Sequence, residues 1–231
     1  MFKKFRVSLF AAKVMLSVVV SLCCLWAVQA EAVPIPGLFN TGVDNSNALL
    51  PDGTIDPHYT LTAAPGFTVP RGTVVYNPSS YTFYNWVANT ANSQWIGLQS
   101  TARYYSAGLY DYDITFDLTG LNPATAVITG EFAADNNAVI YLNGTSTGAT
   151  TPTLGFSSFT PFTISSGFVS GVNTLKFQVT NLADVATFGG PTGLQVQLSG
   201  TANSVPEPLS LLFLGAGVAG MAVIGRKKQK N

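Results

Sequence analysis

The feature that most restricts the fold is a strict alternation of apolar and polar residues. It runs through three separate stretches, Tyr110–Leu118, Leu175–Thr180 and Leu194–Ser199. Successive side chains of a β-strand point to opposite faces, so this period of two predicts strands with one buried and one solvated face. Between Glu31 and Ser204 no segment has the 3.6-residue period of an amphipathic helix. The middle of the chain is therefore predicted to be all-β.

Further strands are predicted where β-branched and aromatic residues lie between turn residues. Two of them, Ala126–Ala134 and Ala138–Leu142, form a pair separated by Asp135-Asn136-Asn137. The shorter candidates are Thr73–Tyr76, Tyr81–Trp86, Gln94–Leu98 and Phe159–Ile164. About eight or nine short strands at this spacing predict two antiparallel sheets packed face to face, a β-sandwich of jelly-roll type. Glu31–Gly37 and Gly200–Ser204 are predicted to be linkers.

The middle of the chain is acidic, although the whole chain has a formal net charge of zero. From Glu31 to Ser204 it contains three basic and ten acidic residues, a net charge of about −7. Phosphate backbones are bound by Lys and Arg, so nucleic acid is excluded as a partner. Both cysteines, Cys23 and Cys24, precede this region. The predicted domain therefore has no disulfide or thiolate metal site and depends on a packed core.

The first thirty residues are typical of a secretory signal peptide. Three basic residues lie among the first six, the apolar run Val14–Val28 follows, and Val28-Gln29-Ala30 has small residues at the cleavage positions. Met1–Ala30 is predicted to form a helix that is cleaved after Ala30. An uncleaved anchor is the alternative.

The last residues combine a short acidic motif, an apolar run and a basic end. Leu209–Gly225 carries no charge and would reach roughly 25 Å as a helix, which predicts a transmembrane helix. A basic block follows and favours the cytoplasmic side, so it predicts a stop-transfer signal with everything before Val205 exported. The block consists of Arg226, Lys227, Lys228 and Lys230.

The order of these parts resembles the PEP-CTERM sorting signal of bacteria. The motif is Val205, Pro206, Glu207 and Pro208, whose prolines hold an extended segment outside the membrane. The resemblance implies that the membrane protease-transpeptidase exosortase recognises residues 205–231. It also implies passage through the inner membrane to the cell surface or extracellular matrix. An ordinary C-terminal anchor is the alternative.

The middle of the chain resembles an exported β-sandwich domain that occurs ahead of PEP-CTERM tails and is similar to galactose-binding-like modules. The resemblance implies sugar binding and no catalytic residue. The phrases that carry it are Asn40-Thr41-Gly42-Val43, Asp56-Pro57-His58-Tyr59, Ser93-Gln94-Trp95-Ile96, Ala133-Ala134-Asp135-Asn136, Leu142-Asn143-Gly144 and Gly171-Val172-Asn173-Thr174-Leu175.

Aromatic residues are the candidates for stacking on a sugar ring, since a flat apolar face suits the ring's C–H groups. Trp86 and Trp95 lead, because several amide side chains lie between and around them. Tyr59, Tyr104 and Tyr105 are weaker candidates. The alternative, which residue statistics favour, is that these aromatics belong to the core or rim of the sandwich.

Polar residues offer three further interpretations. His58, the one histidine, is interpreted as a structural residue bonded to a loop backbone rather than a catalytic one. Asp111, Asp113 and Asp117 alternate on one strand, where a solvated face is favoured over a cation site or an acid–base pair. Asp52–Asp56 and Asp135–Asn137 contain oxygen ligands suited to a structural Ca²⁺, but Asx turns explain them better. No cofactor is predicted.

Three functional hypotheses remain open. The preferred one is a non-enzymatic protein of the cell surface or biofilm matrix that binds polysaccharide or mediates adhesion. The second is an extracellular glycan hydrolase that uses Asp111 with Glu131 or Asp135, which would require two carboxyl groups about 5 to 9.5 Å apart in one cleft. The third is a structural coat protein with no small ligand.

Overall fold

The computed structural model describes residues 31–80, 85–100, 104–183 and 189–205. The predicted signal-peptide helix and the tail from Pro206 onward, with Glu207, Pro208 and the basic block, lie outside these residues. Within the four ranges, no helix is long and apolar enough to span a bilayer. Glu31–Val205 forms one compact unit.

The described unit is built from β-strands with two short 3₁₀ turns, Pro78–Ser80 and Pro123–Thr125. The strands are β1 (Ala32–Pro34), β2 (Ile55–Ala63), β3 (Arg71–Tyr76), β4 (Trp95–Gly97), β5 (Tyr105–Ser106), β6 (Gly108–Asp117), β7 (Val127–Asp135), β8 (Asn137–Leu142), β9 (Thr145–Thr150), β10 (Thr160–Ile164), β11 (Val172–Asn181), β12 (Gly189–Gly190) and β13 (Gly193–Asn203). The all-β prediction is confirmed.

The strands form an antiparallel sandwich, as predicted, but its two layers belong to one hydrogen-bonded path. The order is β10-β7-β13-β4-β3-β2-β6-β11-β8-β9, with β1 added beside β13. Phe132 on β7 lies 5.8 Å from Phe177 on β11, ring centroid to ring centroid. We call β2, β6, β11, β8 and β9 the front layer, and β10, β7 and β13 the back layer. The short strands β3 and β4 join them, so the layers are not the two separate sheets that the sequence predicted.

The core lies between the two layers and follows the alternation in the sequence. Every apolar residue of the alternating part of β6 is at most 2% exposed, and so are those of β11. These residues are Tyr110, Tyr112, Ile114 and Phe116 on β6, and Leu175, Phe177 and Val179 on β11; Leu118, directly after β6, is also buried. Burial of this apolar surface is the main favourable term in folding. The residues between them face outward from the front layer.

The prediction that Glu31–Gly37 and Gly200–Ser204 are linkers is wrong, because the two segments pair with each other. Ala32 lies opposite Asn203 and Pro34 opposite Thr201, so β1 forms a ladder with the end of β13. The backbone N–H of Ile35 donates to the carbonyl of Gly200 at 2.9 Å, and the Ile35 side chain is 4% exposed. Backbone groups that would bond water in a linker bond each other here. The two ends of the unit therefore lie side by side.

The predicted pair Ala126–Ala134 and Ala138–Leu142 is formed by two strands that do not bond each other. β7 pairs with β10 and β13, whereas β8 pairs with β11 and β9. The chain crosses from the back layer to the front layer at Asp135 and Asn136. In contrast, Asn143-Gly144 forms the tight turn between β8 and β9, with φ angles of 51° and 81°. Both values are positive, as a two-residue hairpin turn requires.

Candidate functional site

Trp86 and Trp95 lie in a second buried cluster on the outer face of the back layer. Their rings are 4.2 Å apart, and they pack with Tyr76 and Ala133. Trp95 is 0% exposed and Trp86 is 8% exposed. A ring without exposed surface cannot stack on a sugar, so the structure corrects the ligand-binding interpretation of Trp95 and leaves Trp86 almost no surface for one. The sequence predicted a strand over Tyr81–Trp86, but its described residues, Asn85 and Trp86, are not in a strand.

The polar edges of both indoles are used inside the protein. The Nε1–H group of Trp95 donates to the carbonyl of Val87 at 2.7 Å, and that of Trp86 donates to Oδ2 of Asp135 at 3.1 Å. The other candidate aromatics divide by exposure. Tyr59 and Tyr105 are buried, while Tyr104 is 59% exposed.

His58 lies on strand β2 rather than in a loop. Its ring stacks on that of Phe39, with centroids 3.6 Å apart and planes within 4°. Its Nε2 atom is buried, and neither ring nitrogen makes a hydrogen bond within the described part of the chain, so the predicted bond to a loop backbone is wrong. The neighbouring Asp56 does not orient the ring. Its carboxylate accepts the backbone N–H groups of Gly42, His58 and Tyr59.

Asp56 forms the Asx turn that the sequence favoured over a calcium site, since its Oδ1 accepts the backbone N–H groups of His58 and Tyr59. Burial raises the pKa of its carboxyl group, while the three backbone hydrogen bonds lower it. Among residues 31–80, 85–100, 104–183 and 189–205, no cluster of three or more His, Cys, Asp or Glu side chains could hold a metal ion. The carboxylate of Asp117 is likewise engaged with the backbone N–H and hydroxyl of Thr119, whose hydrogen bonds lower its pKa.

The carboxylate pairs of the hydrolase hypothesis lie on opposite sides of the sandwich. Asp111 points outward from the front layer, where it accepts hydrogen bonds from Lys176 and Gln178. Glu131 and Asp135 point outward from the back layer, where they bond Gln197 and Trp86. The core separates them, and packed sheets are about 10 Å apart before side chains are added. Neither pair can face one cleft, so both pairings are wrong.

The outer face of the front layer holds a set of polar side chains that we call the polar platform. It consists of Thr62, Asp111, Asp113, Tyr141, Lys176 and Gln178. The register explains its formation, because Lys176 lies opposite Asp113 on β6 and Tyr141 on β8. Gln178 lies opposite Asp111 in the adjacent row. Thr60, opposite Asp113 on β2, extends the first row to four strands, or about 14 Å.

An ion pair fixes the centre of the polar platform. The Lys176 ammonium lies 2.7 Å from Oδ2 of Asp111, and the Gln178 amide donates to Oδ1 at 3.0 Å. The side chains of Lys176 and Asp111 are 31% and 10% exposed, so this pair is more shielded from water than an ordinary surface pair. The hydrogen bond to Asp111 raises the pKa of Lys176. Both charges are therefore held in place on the sheet.

Asp113 retains unused hydrogen-bonding capacity beside that pair. Its Oδ1 atom is buried and has no hydrogen-bond partner among the described residues. Burial raises the pKa of its carboxyl group, against the lowering effects of Thr62 and Lys176. A buried oxygen without a hydrogen-bond partner is costly to the folded state.

Sequence reasoning did not identify Tyr141, Lys176 or Gln178 as site residues. The alternation in Leu175–Thr180 does place Lys176 and Gln178 on one solvated face. It does not say which strands lie beside β11. Pairing with both β6 and β8 brings the aspartates and Tyr141 together.

No protein-family model matches the chain, and a search of curated proteins found no match. Among solved structures, the chain is similar to a family 35 carbohydrate-binding module, CBM35, from Cellvibrio japonicus Abf62. The two are 21% identical, 74% of this chain and 92% of that chain are covered, and the TM-score is 0.29. A mutant of a family 29 carbohydrate-binding module is 8% identical, with 65% and 98% covered and a TM-score of 0.30.

A third similar structure is Xyl-CBM35 in complex with a disaccharide that contains glucuronic acid. It is 20% identical, with 74% of this chain and 92% of that chain covered and a TM-score of 0.29. These likenesses are too distant to identify a ligand for this chain.

Proposed function

We propose that this chain is an exported, exosortase-sorted protein of the cell surface or extracellular matrix whose sandwich binds polysaccharide without cleaving it. The polar platform is the observation that carries the proposal. It presents an ammonium, two carboxylates, a carboxamide, a hydroxyl and one aromatic ring on a single sheet face. Such a mixture of fixed hydrogen-bonding groups with an aromatic surface suits a polyhydroxylated ligand.

The arrangement of the polar platform favours a chain-like ligand. Its two rows cross several strands, so hydroxyl groups along a polysaccharide would meet donors and acceptors one after another. The ring of Tyr141 offers apolar area at one end of the first row. Lys176 and Gln178 are already oriented by Asp111, so ligand binding costs little further ordering of these side chains.

Binding is favoured over hydrolysis because both platform carboxylates project from β6. Glycosidases place their two carboxyl groups on either side of the scissile bond. Asp111 and Asp113 would contact a ligand from the same side, and Asp111 is paired with Lys176.

A glycan hydrolase remains the second candidate, supported by the raised pKa of Asp113. Residues two apart on a strand are separated by about 7 Å, which is within the range of glycosidase carboxyl pairs. Under this alternative, Asp113→Asn abolishes release of reducing ends while the protein still binds. Under the proposed function, the wild type releases none.

The binding test uses the full-length chain in mild detergent and native affinity electrophoresis. The probes are three soluble neutral polysaccharides: a mixed-linkage β-glucan, an arabinoxylan and a galactomannan. We expect retardation by at least one of them. Tyr141→Ala and Gln178→Ala should each weaken it about tenfold or more, the scale of an interface anchor.

Tyr104→Ala is the matched control, because Tyr104 is an exposed tyrosine outside the polar platform. It should bind like the wild type. Retardation lost in Tyr104→Ala and retained in Tyr141→Ala would contradict the platform assignment. No retardation by any probe would favour the structural coat protein.

The sorting proposal rests on the tail sequence and has its own test. Replacing Pro206, Glu207 and Pro208 by alanine should block processing and leave export intact, since the motif concerns recognition rather than translocation. Intact-mass measurement of surface and released protein reads the outcome. A wild-type chain that still ends at Asn231 would rule out exosortase processing.

A further inference from the structure

The outer face of the back layer contains a groove of about 350 Å³ that the polar platform does not include. It is lined by Asn40, Thr129, Gly130, Glu131, Gln197, Leu198 and Ser199. The side chains of Thr129 and Glu131 on β7 and of Gln197 and Ser199 on β13 form two adjacent rows, because Glu131 is paired with Gln197 and Thr129 with Ser199. The volume is near the lower limit of small-ligand sites.

The walls of this groove are held in place by hydrogen bonds. The Gln197 carboxamide donates to Oε1 of Glu131 at 3.0 Å. Asn40 closes one side, since its Oδ1 accepts the backbone N–H of Leu198 at 2.8 Å and its Nδ2 donates to the carbonyl of Asn92 at 2.9 Å. The groove is therefore formed by the folded chain before any ligand enters.

The chemistry of the lining indicates the class of ligand. Hydroxyl, carboxamide and carboxylate groups predominate. Glu131 is the one charged side chain in the lining, so an anionic sugar or a phosphate would be repelled. A neutral polyhydroxylated molecule can form hydrogen bonds with the hydroxyl, carboxamide and carboxylate groups of the lining.

The groove and the polar platform lie back to back across the core. Glu131 neighbours Phe132 on β7, and Gln178 neighbours Phe177 on β11. The two phenylalanine rings contact each other across the layers, at 5.8 Å. Their outward-facing neighbours therefore point away from the molecule in opposite directions.

Resting on the proposed function, we infer that the groove of Asn40, Thr129, Glu131, Gln197 and Ser199 is a second polysaccharide site, specific for neutral sugars. The sandwich then holds two polysaccharide chains on opposite faces. One copy of the protein acts as a cross-linker of the matrix rather than as a simple anchor.

The test compares binding with bridging. Full-length chain is mixed with the neutral polysaccharide that best retards it in electrophoresis. Low-shear viscosity then reports bridging between polymer chains, and light scattering reports the oligomeric state of the protein alone. Gln197→Ala removes a groove hydrogen bond, and Thr129→Trp fills the groove with a residue that strands accept well. Thr145→Trp, on the exposed edge strand β9, is the matched control.

We expect the wild type and Thr145→Trp to raise viscosity several-fold. Gln197→Ala and Thr129→Trp should each still be retarded, because the polar platform is intact, but should lose the viscosity increase. If both groove variants raise the viscosity as much as the wild type does, the second site is overturned and the platform assignment stands. A wild type that is retarded by the polysaccharide but does not raise its viscosity would also overturn the second site. A wild type that no polysaccharide retards would overturn the proposed function and this inference together.

Discussion

At the scale of single residues, Asp135 is the buried group whose protonation state most affects the unit. It is 2% exposed, one oxygen accepts the Trp86 indole N–H, and the other has no partner among the described residues. Burial raises its pKa from 3.8 to about 7, although the Trp86 hydrogen bond lowers it. Trp86 therefore bonds a carboxyl group that is neutral below about pH 7.

The raised pKa of Asp135 predicts that its contribution to the stability of the folded unit falls as the pH rises. The folded pKa exceeds the unfolded one, so the folded state holds the proton more tightly between about pH 4 and pH 7. The contribution of Asp135 to stability is complete below about pH 4 and is lost as the pH rises to 7. Three pKa units correspond to about 4 kcal/mol as an upper figure.

We predict that Asp135→Asn flattens this part of the profile, because an amide oxygen can still accept the Trp86 N–H without ionising. Thermal unfolding from pH 4 to pH 8 should show the variant gaining on the wild type as the pH rises. Asp52→Asn, at an exposed carboxylate, is the control and should follow the wild type. Parallel curves for the wild type and Asp135→Asn would show that Asp135 ionises normally.

At the scale of elements, sequence patterning predicts those strands whose two faces differ. β6, β11 and most of β13 alternate cleanly because one face meets the core. β9 (Thr145–Thr150) has no large apolar side chain, and β2 contains Pro57, so neither shows the pattern. The polar platform was not predictable for a different reason: it depends on which strands are neighbours, and register is set by long-range pairing.

The predicted linkers failed because short strands carry too few residues to show a period. β1 has only three residues, yet it covers the end of β13 and is followed by the buried Ile35. Three residues cannot distinguish a strand from an extended linker. Only the complementary ladder in the fold makes the distinction.

This element supports a second prediction. Ile35→Ala should lower the free energy of unfolding by about 2 to 5 kcal/mol, the usual cost of truncating a buried isoleucine. Chemical denaturation of the full-length chain measures it, with Leu49→Ala, at a 43% exposed position, as the control. Equal midpoints for the two variants would mean that residues 31–37 behave as a linker after all.

At the scale of the whole molecule, the sandwich separates two polar faces by one apolar core. Both ends of the unit meet at β1 and β13, since the backbone N–H of Ser204 donates to the carbonyl of Glu31 at 3.0 Å. Glu31 and Ser204, at the two ends of the described unit, therefore lie side by side at one edge of the sandwich. The polar platform lies on β2, β6, β8 and β11, away from this junction, whereas the groove lies partly on β13, the strand that pairs with β1.

Hydroxyl-radical footprinting of the full-length chain, with and without the polysaccharide that it binds, tests the central claim most directly. Mass spectrometry compares two tyrosines in one sample. Tyr141 lies on the polar platform, whereas Tyr104 is exposed elsewhere. We predict that polysaccharide lowers the oxidation of Tyr141 several-fold and leaves that of Tyr104 unchanged. Protection of Tyr104 without protection of Tyr141 would contradict the account.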